Sequence, residues 1–347
     1  MERIQLKEDY SISRIIKGGW HLAGGHGTIN EKEAINDMLL FVESGITTFD
    51  CADIYTGVEE LIGKFLKKNK SAFQNGSLPE IQIHTKYVPD YSSLGVLKKS
   101  DTEKIIDRSL RRLGVERLDL VQFAWWDYQY ENYVETALHL AEMQKAGKIR
   151  FIGATNFDTL HLKEIIDAGV NIISHQVQYS VLDRRPEKHQ VQLSIEEDFS
   201  FLCYGTVAGG FLSDRYLNQI EPIEPLENRS LTKYKLIIDE FGSWDNFQEL
   251  LKCLRKVADQ YNVGIAEIAI KYVLQKQKVS GAIIGVRNNS HLEKLKILDS
   301  FSLDESDLKS IHEITEKSKG PLGPVYDLER DKEGRHGRIM KYNLNET

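Results

Sequence analysis

The sequence lacks the cysteine pattern of a disulfide framework: Cys51, Cys203 and Cys253 are odd in number, far apart and without a C-x-x-C pair. That usage argues against disulfide staples and against a zinc site, and it suits a reducing compartment. A long apolar run is also missing. No stretch approaches the ~18 residues of a membrane span, and the opening MERIQLKEDY is charged, without the apolar segment of a signal peptide. The expected setting is the cytoplasm, with no membrane and no metal. Nor is there an excess of positive charge, since 45 Lys+Arg against 52 Asp+Glu leave a formal charge of −7. Nucleic acid and anionic membrane surfaces are therefore not expected as partners. What is present is globular in kind: 41% hydrophobic and 28% charged residues can bury a core. A length of 347 residues suits two domains at roughly 150 residues each, or one large α/β barrel.

Eight short runs rich in β-branched residues lie at 15–20, 47–50, 81–85, 118–123, 149–154, 172–177, 201–204 and 282–286. Amphipathic stretches alternate with them at 31–43, 58–66, 102–113, 133–145, 160–168, 186–193, 246–261 and 290–298. Repeated strand–helix units predict a parallel sheet, and eight of each predict a (β/α)8 barrel of the TIM type, one α/β domain over 1–347. Residues 3–10 read as a strand entering a turn, as in a hairpin closing the barrel bottom. Stretches 266–275 and 304–316 read as extra helices. Between 212 and 244 runs a long excursion of the kind that usually carries function. The tail, 317–347, has no clear period and is either disordered or folded over the barrel mouth.

Barrels of this kind keep their chemistry where strands end. The second strand runs into FDCADIY, with Asp50 at its tip and Tyr55 five residues on; the third ends in HTKY, with Lys86 at its tip. A lysine ammonium beside a tyrosine hydroxyl lowers the phenol pKa, and a carboxylate keeps the lysine charged and oriented. Together the three suit acid catalysis on a carbonyl. Taken singly, each has a plainer role: Asp50 as a helix cap, Tyr55 as packing, Lys86 as a solvated charge.

The ordered set GGW, FDCADIY, HTKY, LDLVQFAWWD, IGATNFD, HQVQYS, LCYGTVAGG and IIGVRN resembles the aldo-keto reductase family over almost the whole chain. The resemblance implies a barrel that binds NADPH without a Rossmann motif and delivers hydride to a carbonyl of a small molecule. Tyr55 would be the general acid, Lys86 its partner and Asp50 the carboxylate on that lysine. Thr155, Asn156 and Gln176 would hold the nicotinamide carboxamide, with Tyr204 stacked on the ring. Thr206, Ala208 and Gly210, in a glycine-rich segment, would let backbone approach the pyrophosphate. Gly285, Arg287 and Asn288 lie at the top of the eighth strand, and Arg287 would pair with the adenosine 2′-phosphate, favouring NADPH over NADH. Trp20 would serve cofactor and substrate alike, and Ala124, Trp125 and Trp126 would wall the substrate pocket.

Two positions depart from the family pattern. Ala124 stands where a histidine usually hydrogen-bonds the substrate carbonyl, and Lys294 and Leu295 stand where an acidic residue and an asparagine usually grip the adenine. His21, His26 and His175 are candidates to replace the imidazole, and Asp127 and Tyr128 to meet polar substrate groups. In the tail, Arg335, His336, Arg338 and Lys341 would form a positive lid suited to a carboxylate or phosphate. Two other functions fit the same residues: non-redox acid–base catalysis, and an NADPH-binding regulatory module that has lost hydride transfer.

Overall fold

The computed structural model describes residues 1–24, 27–286 and 288–345. The chain opens with an antiparallel hairpin, β1 (Arg3–Lys7) and β2 (Tyr10–Ser13). Eight parallel strands follow: β3 (Ile15–Gly18), β4 (Thr48–Asp50), β5 (Gln82–Tyr87), β6 (Leu118–Ala124), β7 (Ile149–Thr155), β8 (Ile172–Gln178), β9 (Ser200–Tyr204) and β10 (Val279–Ile284). They pair in chain order, and β10 closes on β3 to complete the barrel.

The period of two along each strand sorts side chains between the barrel interior and the helical layer. On β5, Gln82, His84 and Lys86 share one face. On the other face Tyr87 Oη is 3.0 Å from Thr102 Oγ1, and Thr85 Oγ1 donates to Glu59 on the helix Val58–Lys68 at 2.7 Å. The hairpin plugs the interior from below: Leu6, Tyr10 and Ile12 pack on Ile16, Leu120, Ile173, Leu202 and Ile283. Burying each such side chain contributes about 1.5–3 kcal/mol. At that end Tyr10 Oη lies 3.0 Å from His84 Nε2, giving the buried imidazole a partner.

Several outer elements differ from the sequence reading for local reasons. The first barrel strand stops at Gly18, because Gly19 N donates to Asp50 O at 2.7 Å and Trp20 begins a 3-10 turn, Trp20–Leu22. The expected helix at 186–193 is a 3-10 turn, Arg185–Glu187, and a helix, Gln190–Glu196. That at 290–298 is three short pieces. The excursion after β9 contains a full helix, Arg229–Phe241, capped by Asn228, whose side chain accepts from Leu231 N at 3.1 Å.

The tail is docked. Glu329 lies fully buried and meets Arg185, which also bonds Asp183; Arg185 Nη1 is 3.1 Å from Glu329 Oε2 and Nη2 is 2.7 Å from Asp183 Oδ2. Further on, Tyr91 N donates to Tyr342 O, and Asp90 Oδ1 accepts from Leu344 N and Asn345 N at 2.8 and 2.9 Å. No helix among the described residues is long and apolar enough to cross a membrane.

Candidate active site

Asp50, at the tip of β4, and Lys86, near the end of β5, meet because the parallel register sets neighbouring strand ends side by side. Lys86 Nζ donates to Asp50 Oδ2 at 2.7 Å and to Cys51 O at 2.8 Å. The other carboxylate oxygen, Oδ1, accepts from Gln122 at 3.0 Å and from Gln176 at 2.7 Å. A buried carboxylate needs such partners to remain charged. Burial opposes the Lys86 ammonium, but the Asp50 carboxylate and Tyr55 outweigh it and hold its pKa above the ordinary value.

Tyr55 lies over this pair, its ring centroid 4.9 Å from Lys86 Nζ and 5.1 Å from the Trp20 ring. The net shift of the phenol is the reverse of the expected one. Burial raises its pKa, and the charge of Lys86 offsets that only in part. Tyr55 is thus a protonated group through neutral pH.

These residues form the floor of a cavity of about 740 Å³ at the C-terminal ends of the strands. Ala124, Trp125 and Trp126 line one side, with Trp126 Nε1 fixed to Pro89 O at 2.9 Å. Thr155, Asn156, Gln176, Tyr204, Thr206, Gly210 and Gly285 also line it, as do Lys294 and Leu295. Asn156 holds a left-handed backbone (φ 61), and its Oδ1 accepts from Tyr204 Oη at 2.9 Å. The Ala208 side chain is buried beside the cavity rather than on its surface, and Asn288 is exposed, its Oδ1 accepting from Ser290 N at 3.1 Å. Arg287 and His26 fall outside the described residues.

Of the other histidines considered, His21 lines the cavity. Its ring occupies the space a Cβ at Gly285 would need. His175 faces the helical layer instead: its Nε2 accepts from Phe157 N at 3.1 Å, its Nδ1 meets Gln190, and burial pulls its pKa down to about 3. Alternation along β8 puts it on the face opposite Gln176, so it cannot stand in for an imidazole at position 124. Asp127 is committed to Tyr91 Oη at 2.7 Å, and Tyr128 stacks on His161.

Whether a nicotinamide dinucleotide fits can be asked of these residues directly. The buried Thr206 Oγ1 has no partner among the described residues. Nothing lies within 4 Å of where a Cβ on Gly210 would point, and its φ of +106 suits glycine alone. An orphaned hydroxyl and open backbone beside Tyr204 suit a polar, phosphate-bearing ligand. Such a cofactor would supply hydride when bound, and the Tyr55 side chain lines the same cavity. Among the described residues no cluster of His, Cys, Asp and Glu could hold a metal.

Among the cavity-wall residues that the sequence reading missed are Arg229, Lys233, Tyr326 and Met340. It also missed Arg330, whose Nη2 donates to Asn156 O at 2.6 Å and Trp125 O at 3.3 Å. For Arg229 and Lys233 the amphipathic spacing of 229–241 was an available signal; for the tail residues there was none.

Comparison with known proteins agrees with this geometry. The profile of the Aldo/keto reductase family matches residues 14–316. The aldo-keto reductase YhdN of Bacillus subtilis (strain 168) is 26% identical over 322 residues, 90% of this chain and 93% of its own. The NADH-specific methylglyoxal reductase of Escherichia coli (strain K12) is 24% identical over 340 residues, 91% of this chain and 99% of its own. Among solved structures, a glycerol dehydrogenase from Gluconobacter oxydans has the same fold, with a TM-score of 0.75 at 22% identity over 93% of this chain and 98% of its own. The chain belongs to the aldo/keto reductase family of oxidoreductases.

Proposed function

We propose that the protein reduces a carbonyl group of a small molecule with NADPH, Tyr55 giving the proton to the carbonyl oxygen. The observation that carries this reading is the Lys86 ammonium, pinned by Asp50 and set 4.9 Å from the Tyr55 ring at the floor of the cavity. Lys86 stabilises the oxygen's developing negative charge on the phenol, and Asp50 with its two glutamines keeps Lys86 in place. Thr155, Asn156 and Gln176 are assigned to the carboxamide of the nicotinamide, Tyr204 to its ring, and Thr206 with Gly210 to the pyrophosphate. NADPH is preferred over NADH on the strength of Arg287, whose guanidinium finds a 2′-phosphate only in the former. The E. coli relative named as NADH-specific makes this preference the part most worth measuring. Unpaired buried thiols at Cys51 and Cys203 support a place in the cytoplasm.

The test is single-turnover oxidation of bound cofactor, mixed with a panel of aldehydes, ketones and enones, after both dissociation constants are determined. The reading expects NADPH to bind more tightly than NADH and to be oxidised by at least one carbonyl class. Equal dissociation constants would overturn the NADPH assignment. A cofactor that binds but is never oxidised would turn the reading to the regulatory or non-redox alternatives.

A further inference from the structure

One wall of the cavity carries a cation with no acceptor. Lys233, in the helix Arg229–Phe241, places its ammonium 4.9 Å from the Tyr204 ring centroid and 5.8 Å from those of Tyr234 and Tyr326. Among the described residues it forms no ion pair and no hydrogen bond. The nearby carboxylates do not fill that role. Both oxygens of Glu329 accept from Arg185, and those of Asp183 accept from Arg185 and Gln178. Burial pulls the Lys233 pKa down and Arg185 adds to that, while the fields of Glu329 and Asp183 support the charge only in part. The N–H donors of the ammonium are left to the cavity.

Two further unpaired cations share that wall. Arg229 donates Nη2 to Ile339 O at 2.7 Å and has no carboxylate partner among the described residues; the same holds for Lys341, two residues beyond Ile339. Met340 Sδ lies 3.8 Å from Tyr326 Oη, which ties this part of the tail to the tyrosines around Lys233. The other basic tail residues are spent: Arg335 on Asp239, His336 on Glu240 and Arg338 on Glu333. Positive charge therefore converges on the cavity at a few chosen positions rather than spreading over the lid.

We propose that Lys233, assisted by Lys341, forms an anion subsite, so that the substrate is a carbonyl compound carrying a carboxylate or a phosphate at the end remote from the carbonyl. This rests on the reductase reading above and adds the substrate class to it. A caged ammonium loses little conformational freedom on binding, and hydrogen bonds to charged oxygen are the stronger kind.

The experiment compares kcat/KM within two matched pairs, succinic semialdehyde against butanal and glyceraldehyde 3-phosphate against glyceraldehyde, in the parent protein, Lys233→Met and Lys341→Ala. The pair showing the larger anionic preference identifies carboxylate or phosphate. The parent should favour the anionic member of one pair by at least about tenfold, and Lys233→Met should lower that ratio by a similar factor. Lys341→Ala, at an exposed position, should lower it less and keeps the test open if the cage variant folds poorly. No preference in the parent, an equal loss on both members, or a matching loss in NADPH affinity would overturn the subsite. Calorimetric binding of succinate and glycerol 3-phosphate to the NADPH complex separates the two readings. Tenfold weaker binding in Lys233→Met without turnover in any protein would retain the subsite and reject the reductase; unchanged binding would reject the subsite alone.

Discussion

The floor and the roof of the cavity are both fixed by buried ion pairs, but they are built over very different distances along the chain. At the floor, Lys86 meets Asp50 across adjacent strands, and parallel register alone brings them together. At the roof, Glu329 reaches Arg185 over 144 residues, Arg330 reaches Asn156 over 174, and Asn345 reaches Asp53 over 292. The floor is set by the same contacts that close the barrel. The roof is an added segment: the family match ends at residue 316, before the tail begins. Asp50 and Lys86 lie on the strands, while the anion subsite proposed at Lys233 and Lys341 lies on the excursion and the tail.

The largest expected effect that would break this contrast is on the roof pair. Glu329→Ala leaves Arg185 with one of its two buried carboxylate partners, and removing a partner from a buried ion pair costs about 3–5 kcal/mol. Denaturant unfolding should show that loss. A change under about 1 kcal/mol would mean that the tail rests on the barrel without supporting it.

A smaller effect is expected at Ala124, where the floor departs from its family. Its side chain faces the cavity beside Trp125. Ala124→His adds a donor beside Tyr55, and kcat/KM for small aldehydes should rise by roughly tenfold or more. It should fall for bulky ketones, whose space the ring takes. Uniform gain on both classes would mean that the alanine impairs the site rather than adapts it.

A further effect, read from its pH dependence, concerns the point where roof meets floor. Burial, then the neighbouring Glu59, pushes the Asp53 carboxyl up to about 8, although Val88 N and the Asn345 amide donate to it. The unfolded chain releases this proton near pH 3.9, so between roughly pH 4 and pH 8 the folded state holds a proton that the unfolded state has lost. Stability from this group therefore falls as pH rises through that window and is level above it. Asp53→Asn removes the penalty, and its gain in Tm over the parent should grow from about pH 5 to about pH 8.5. A gain that does not change with pH would show that Asp53 is ionised in the folded protein.

Legibility in the sequence follows the same division. The eight strands, the hairpin and the set Asp50, Tyr55 and Lys86 could be read because strand alternation and strand-end placement are local rules. The direction of the Tyr55 shift could not, since it depends on how deeply the ring is buried, and burial is a sum over the whole fold. His175 was misplaced for a related reason: a one-residue step on β8 changes the face. Arg330 draws its place from Asn156 and Trp125, far away in the chain, and the tail's lack of period hid its docking. Its basic residues suggested a positive lid, yet three of them are neutralised by acidic side chains of the body and of the tail itself.

The central claim is that Tyr55, held beside Lys86, is the proton donor of a hydride-transfer reaction. It is tested most directly by the rate of bound NADPH oxidation in Tyr55→Phe, which removes one hydroxyl and keeps the ring against Trp20. The account predicts a loss of about 10²–10⁴-fold in that rate, the range for a lost general acid, with the NADPH dissociation constant little changed. A rate within about threefold of the parent would contradict it, because a general acid cannot be removed at so small a cost.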